Sequence, residues 1–150
     1  MLHAIVLLVA TALPAATRTG WMTPESFHLT VGMPRAAVMK TLSDNAWQAK
    51  KGRDEDELLI DYTSTKALTL QFRQNRLTSI RFELFGMLPE VHQAFDEQKT
   101  ALAQLLGAPR VMKPYATIIY DAKTPNVFVV MTENKERGLP MLAVRYFDPR

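Results

Sequence analysis

Three successive segments in the first half of the chain alternate apolar and polar residues, as strands with one buried face do. They span residues 57–63, 67–73 and 77–85. Aligning Leu70 with Ile80 in the last two segments places Leu68 opposite Phe82, so all four side chains share one face. The first two segments agree on the same apolar face when Ile60 is aligned with Leu70. The pattern therefore predicts an antiparallel meander that is apolar on one side and polar on the other.

Apolar residues at helical spacing lie on both sides of this meander. They predict a first helix from about Pro34 to Asp44 or Trp47, and a longer second helix through Val91–Leu106. Gly107 is predicted to end the second helix, because glycine adopts the left-handed conformation that often follows a helix. More strands are predicted after it, at about 117–121, 127–133 and 141–147, with a short one at 112–115.

The elements follow the order of one helix and three strands, and this order is repeated. The two repeats span about residues 30–85 and 86–148. Antiparallel strands with helices on one face form an α+β two-layer sandwich, and this is the predicted fold class. No linker-like stretch divides the chain, so residues 17–150 are predicted to form a single α+β domain.

The first sixteen residues carry no lysine, arginine or acid and are mostly apolar. The run is shorter than the roughly 20 residues that a membrane-spanning helix needs, and small residues suited to cleavage follow Pro14. We interpret residues 1–16 as a signal peptide that directs the mature chain to the periplasm or outside the cell. The alternative is a buried strand or helix at the start of the domain itself.

Composition narrows the chemistry that the chain offers. The chain has no cysteine, which excludes disulfides, thiolate catalysis and thiolate metal sites. His28 and His92 lack metal-ligand spacing, and the acidic run 54–57 lacks the alternating ligands and the glycine of a calcium-binding loop. The net charge is only +3, and acids interrupt the basic residues of the second hairpin. We therefore expect no metal, no cofactor and no nucleic-acid partner.

The two meanders differ in the polarity of their faces. The outer face of the first is polar, with Asp61, Thr69, Gln71, Ser79, Arg81 and Glu83. In the second, apolar residues occupy both faces of each strand, as with Phe128 and Val130 against Val129 and Met131. Two-sided burial requires a cover on the second face. The candidates are the chain's own segment around 21–27, a second copy in a homodimer, or another protein.

Two short motifs carry a resemblance to known exported proteins. They are Gly32-Met33-Pro34-Arg35-Ala36-Ala37-Val38 and Leu105-Leu106-Gly107-Ala108-Pro109. Together they resemble the helix motif of the SmpA/OmlA (BamE-like) envelope domain, and the doubled order of helix and meander is similar to the tandem-repeat fold of the β-lactamase-inhibitor proteins. The resemblance implies a small exported module that binds another protein and catalyses no reaction. The chain departs from the outer-membrane assembly lipoproteins because it has no cysteine to carry a lipid.

The leading hypothesis is an exported, non-enzymatic module that binds another protein, such as an inhibitor or immunity protein of a secreted hydrolase or an envelope assembly accessory. The predicted contact residues lie on the open face of the sheet and at hairpin tips: Arg73, Arg76, Arg81, Tyr120, Phe128 and Tyr146. The alternative is a periplasmic carrier of a small molecule or lipid, with a pocket between the second meander and its helix. A hydrolase using scattered carboxylates such as Asp61 and Glu83 is a third class.

Overall fold

Within the described residues, 18–121 and 125–150 of a computed structural model, the chain forms two α-helices and eight strands. The predicted signal peptide at 1–16 lies outside the described residues. The helices are α1 (Arg35–Asp44) and α2 (Leu88–Leu106), and a short 3-10 helix spans Pro24–Phe27. The strands are β1 (Lys50–Lys51), β2 (Glu57–Thr63), β3 (Lys66–Arg73), β4 (Arg76–Phe85), β5 (Val111–Lys113), β6 (Thr117–Tyr120), β7 (Asn126–Asn134) and β8 (Leu139–Phe147).

The described strands form one antiparallel sheet in the order β1-β2-β3-β4-β8-β7-β6-β5. Each meander runs from an edge of the sheet to its centre, where β4 pairs with β8. The predicted antiparallel α+β fold is confirmed at this level. The sequence did not predict β1, because a two-residue strand is too short to show alternation.

The register within the first meander matches the prediction in one hairpin and differs in the other. Leu70 pairs with Ile80 and Leu68 with Phe82, as expected. Ile60, however, pairs with Leu68 instead of Leu70. A shift of two residues leaves every side chain on its predicted face, so the apolar pattern cannot distinguish the two registers. The tight turn that pairs Thr63 with Lys66 sets the register instead.

Both helices contribute to one hydrophobic core on the same face of the sheet, which we call the inner face. Val38 of α1 and Phe95 of α2 are buried in that core with inner-face strand residues such as Phe82. The 3-10 helix also lies on the inner face, where the Phe27 ring centroid is 5.7 Å from that of Phe82 and 4.7 Å from that of Trp47. The suggestion that segment 21–27 covers the second face is therefore wrong, because its rings Trp21 and Phe27 pack against Phe82 on the inner face.

Local backbone contacts explain where α2 begins and where it ends. At its start, the Glu90 carboxylate accepts a hydrogen bond from the Met87 backbone N–H at 3.3 Å. At its end, Gly107 adopts a φ of +80°, a conformation that favours glycine, and its N–H bonds to the Ala103 carbonyl. The predicted end of the second helix is confirmed.

Two of the predicted contact residues, Tyr120 and Tyr146, are buried in the core, with exposed fractions of 3% and 7%. Their predicted place on the open face is wrong. They alternate with outer-face residues along β6 and β8, and the second meander is apolar on both faces, so the pattern did not show which face meets the helices. The Tyr146 hydroxyl donates a hydrogen bond to the Met22 carbonyl at 3.1 Å, and burial raises the pKa of Tyr146 to about 12.

We predict that Tyr146→Phe lowers the free energy of unfolding by about 1 kcal/mol at pH 7, because it removes one hydrogen bond. Tyr146→Ala should cost about 3–5 kcal/mol, because it also leaves a cavity. The measurement is urea unfolding of both variants beside the wild type. Unchanged stability of Tyr146→Ala would contradict the assignment of this side chain to the core.

Because the pKa of Tyr146 is raised, we predict that the difference in stability between wild type and Tyr146→Phe depends on pH. The unfolded phenol ionises near pH 10 and the folded one near pH 12, so the folded state holds the proton more tightly in between. The contribution is fully present below pH 10 and is lost as the pH rises through about 12. The stability difference between wild type and Tyr146→Phe should therefore shrink above pH 10, and a constant difference would be inconsistent with the shift.

Candidate functional site

The face of the sheet opposite the helices, here called the outer face, is left uncovered by the described residues. Cross-strand partners share a face, so the pairing registers identify one row of side chains that crosses every strand of the sheet. From β1 to β5 this central row is Lys50, Leu59, Thr69, Arg81, Arg145, Phe128, Ile119 and Val111. Apart from Leu59, the row is polar on the first meander, and beyond Arg145 it is apolar on the second. Arg81 and Arg145 lie at the boundary.

A polar groove of about 560 Å³ lies over the first meander. Its floor includes Thr69 and Glu83, and the loop between β7 and β8 forms one of its walls. Both floor residues are only 8% exposed, although the sequence suggested that this polar face meets water. The difference arises because long charged side chains and the β7–β8 loop rise around the floor. Both cations and anions line the groove: Lys51, Arg53, Glu57, Asp61, Arg81, Glu83, Glu133, Lys135, Glu136 and Arg137.

Arg137 fixes the β7–β8 loop across this groove. Its guanidinium donates to the Ser64 carbonyl at 3.1 Å and lies 3.8 Å from a carboxylate oxygen of Asp61. The same guanidinium stacks over the Phe85 ring, 4.2 Å from its centroid. One side chain of the second half of the chain therefore links to three residues of the first half, which gives the groove a fixed wall.

The two carboxylates considered for hydrolysis, Asp61 and Glu83, both line the groove. Lys50 donates a hydrogen bond to Asp61 at 2.9 Å, and this contact holds the pKa of Asp61 below its usual value. Glu83 lies 2.8 Å from the Nε atom of Arg81. A general acid needs a raised pKa, so the pairing of Asp61 with Lys50 has the opposite effect. The structure brings these carboxylates to one groove and pairs each with a cation.

Arg81 and Arg145 face each other directly across β4 and β8. The N–H of Arg81 Nε is buried and finds no hydrogen-bond acceptor among the described residues, since it does not point at the nearby Glu83 oxygen. Arg145 donates from Nε to the Ser79 hydroxyl at 2.7 Å and stacks over the Phe147 ring at 4.7 Å. Burial, together with the charge of Arg81, lowers the pKa of Arg145.

The apolar half of the outer face begins beside Arg145. Ile119, Phe128, Val130 and Phe147 are half-buried there, and Ala143 between them is buried. The described helices pack on the inner face, so they do not cover these side chains. The expectation that the second meander is apolar on both faces is confirmed by this arrangement. Its outer face is only half-buried by the described residues.

The structure separates the predicted contact residues into three groups. Arg81 and Phe128 lie on the outer face in the central row. Arg73 and Arg76 lie at the tip of the β3–β4 hairpin, where Arg76 donates to the Gly32 carbonyl at 3.0 Å and so ties the hairpin to the start of α1. Tyr120 and Tyr146 lie in the core.

The sequence did not predict Arg145 as a site residue. A lone arginine within the apolar stretch 141–147 was the available signal. Its partner Arg81 lies on a strand 64 positions away, and no local pattern predicts that pairing.

The other sites considered from the sequence, the acidic run 54–57 and His92, make contacts within the domain. The acidic run 54–57 is tied to α1 by Arg35, whose guanidinium lies 3.2 Å from Asp56 and donates to the Glu55 carbonyl at 2.6 Å. His92 stacks on Tyr115 with ring centroids 4.4 Å apart. Among the described residues, no group of three or more histidines and acids could hold a metal ion. The helices in the described part of the chain are too short or too polar to cross a membrane.

Comparison with known protein families, with curated proteins and with solved structures found no match for this chain. The resemblance to the BamE-like and β-lactamase-inhibitor-protein families therefore stays an interpretation of the two motifs and the order of elements.

We predict that the pKa of Asp61 depends on Lys50 more than on Arg137, because the hydrogen bond from Lys50 is the largest cause of the shift. Lys50→Gln should raise the pKa of Asp61 toward its ordinary value, and Arg137→Gln should raise it by less. The measurement is a titration of the Asp61 carboxyl carbon by nuclear magnetic resonance. A larger rise in Arg137→Gln would reverse this order of contacts.

Proposed function

We propose that this protein is an exported, non-enzymatic module that binds another protein with the outer face of its sheet. The observation that carries this proposal is the central row, in which half-buried apolar side chains continue directly into charged ones on a face that the described helices leave open. Interfaces combine an apolar, aromatic-rich centre with arginine and a polar rim. The outer face offers both within one surface.

The size of the outer face fits a specific protein interface. Eight strands about 4.8 Å apart give a face roughly 35 Å wide. A strand of six residues is about 20 Å long, so the available area is on the order of 700 Å². A standard interface buries about 800 Å² on each partner. The face is therefore large enough to dock one protein domain.

The export half of the proposal comes from the apolar first sixteen residues, interpreted as a signal peptide. An exported binding module of this size fits two roles. One is an inhibitor or immunity protein of a secreted hydrolase, and the other is an accessory of envelope assembly. Both roles require a rigid surface, and the cross-groove contacts of Arg137 supply rigidity to the outer face.

The carrier alternative requires a pocket between the second meander and its helix. In the described residues, the cavity at this place is about 190 Å³ and is lined by residues such as Leu29, Leu106, Val127 and Tyr146. Binding sites for small molecules usually have volumes of about 300–1,000 Å³. The small cavity favours the protein-binding function over a lipid or small-molecule carrier.

The two halves of the domain are proposed here to be structural repeats. In each half an α-helix precedes a meander that runs from the edge of the sheet to its centre. The halves therefore meet through their last strands, β4 and β8. A repeat of this kind explains how one fold presents a polar and an apolar version of the same surface.

We predict that Phe128→Thr abolishes capture of the partner by residues 17–150 used as tagged bait in envelope extract. Threonine keeps the preference for a strand and removes the aromatic ring from the outer face. The matched control is Leu105→Gln, which changes a side chain that is 76% exposed at the end of α2, in the helical layer. Captured proteins are identified and quantified by mass spectrometry.

Comparing capture by the three baits tests whether the partner docks on the outer face. A protein captured in equal amount to the bait by wild type and Leu105→Gln, and lost with Phe128→Thr, supports docking on the outer face. Capture that is equal for all three baits would place the contact elsewhere. If the captured protein is a second copy of this chain, the protein forms a homodimer and the inhibitor role is wrong.

Export gives a separate prediction. When the full chain is expressed with a tag at its carboxyl end, the periplasmic or secreted fraction should contain a protein that begins near residue 17. N-terminal peptide mapping measures this directly. Recovery of the uncleaved chain in the cytoplasm would contradict the signal-peptide interpretation and leave the outer-face proposal to stand on its own experiment.

A further inference from the structure

Arg81 and Arg145 form a like-charge pair at the middle of the outer face. Like charges directly opposite one another on a sheet destabilise the pairing of the strands. Glu83 compensates the charge of Arg81 at 2.8 Å. Among the described residues, no carboxylate lies within 4.0 Å of a nitrogen of Arg145. Among the described residues, Arg145 therefore has no ion-pair partner within 4.0 Å, at the boundary of the polar and apolar halves of the sheet.

The pair also holds hydrogen-bond donors that no described residue satisfies. Arg145 uses its Nε atom for Ser79, and among the described residues its two terminal nitrogens have no acceptor. The Nε atom of Arg81 is buried without an acceptor. Arg145 is half-buried, so its terminal nitrogens remain able to donate to an acceptor that docks on the outer face.

The space around the pair limits the size and charge of that acceptor. A pocket of about 250 Å³ lies between the two arginines and is also lined by Arg53, Thr69, Gln71 and Ser79. Two acids, Asp54 and Glu57, stand on the same lining, and Glu83 lies next to Arg81. These acids would repel a doubly charged phosphate more strongly than a singly charged group. The planar fork of a guanidinium matches the two oxygens of a carboxylate.

We propose that Arg81 and Arg145 form a binding site for a carboxylate group. The terminal nitrogens of Arg145 donate to the carboxylate oxygens, and Arg81 adds a second positive charge. Thr69 and Ser79 also line the pocket. Phe128 is the cross-strand neighbour of Arg145, so an apolar part of the same ligand packs on its ring. The source of the carboxylate rests on the proposed function: it is an aspartate or glutamate side chain of the docked protein, with apolar neighbours that contact Phe128.

The site is tested with a probe that carries one carboxylate and one ring, phenylacetate. At pH 7 and constant ionic strength, the Nε–H signals of Arg81 and Arg145 are followed by nuclear magnetic resonance as sodium phenylacetate is added. The neutral isostere phenylacetamide is the matched probe. We expect saturable shifts of both signals with phenylacetate and none with phenylacetamide. An equal response to both probes, or no response to either, would overturn the site.

Variants of single arginines distinguish specific binding of phenylacetate at this site from non-specific attraction of an anion to a basic protein. Arg145→Gln should weaken phenylacetate binding by about tenfold or more, because it removes a charge-assisted contact. Arg145→Lys keeps the charge and removes the planar fork, so it should bind phenylacetate with intermediate strength. This variant replaces Arg145→Gln in the test if Arg145→Gln fails to fold. Arg110→Gln, at the far edge of the sheet where Arg110 pairs with Asp121, should bind as wild type does. Binding that drops equally in Arg145→Gln and Arg110→Gln would contradict a specific site.

The source of the carboxylate is tested with the captured partner. If Arg145→Gln bait loses the partner that wild-type bait captures, the partner supplies the carboxylate. If phenylacetate binding requires Arg145 while capture does not, the site takes a free carboxylate and the assignment to the partner is wrong. If capture requires Phe128 and phenylacetate does not bind, the docking face stands and the carboxylate site is wrong. The two proposals can therefore fail independently.

Discussion

The antiparallel pairing of β4 with β8 joins the two meanders into one sheet, and the candidate site depends on it. Seven residue pairs, from Ser79–Phe147 to Phe85–Met141, form this junction. On the inner face it pairs Ile80 with Tyr146, Phe82 with Val144 and Leu84 with Leu142, and all of these contribute to the core. On the outer face the same register places Arg81 opposite Arg145. One set of hydrogen bonds therefore sets both the core and the surface.

The inner face dominates the energetics of this junction. Burying one large apolar side chain contributes about 1.5–3 kcal/mol, while a like-charge pair across two strands costs on the order of 0.2–1 kcal/mol. The core can therefore hold the two arginines together although they repel each other. Local rules that a fold breaks without a structural gain are often broken at functional sites. The arginine pair fits that description, because a carboxylate bound at this position would offset the repulsion between the two guanidinium groups.

The groove and the apolar half of the outer face also follow from the joining of the meanders. Arg137 belongs to the second meander, yet its contacts with Ser64, Asp61 and Phe85 close a wall over the first. The central row is charged on both strands of the β4–β8 junction and becomes apolar at Phe128 on β7. A partner that docks there meets a rigid charged groove and an aromatic surface side by side. This combination gives specificity through charge and affinity through apolar burial.

Local patterns in the sequence determined the elements of this protein. Alternation of apolar residues predicted β2–β4 and β6–β8, and helical spacing with Gly107 predicted α2, because these signals involve neighbours in the chain. They also placed Arg81 on the polar side of its strand. Tertiary structure decided the rest. The second meander is apolar on both faces, so only its packing against the helices shows that Tyr120 and Tyr146 are core residues. The pairing of Arg81 with Arg145 joins positions 64 residues apart, and such a contact is selected by the whole core and by no local pattern.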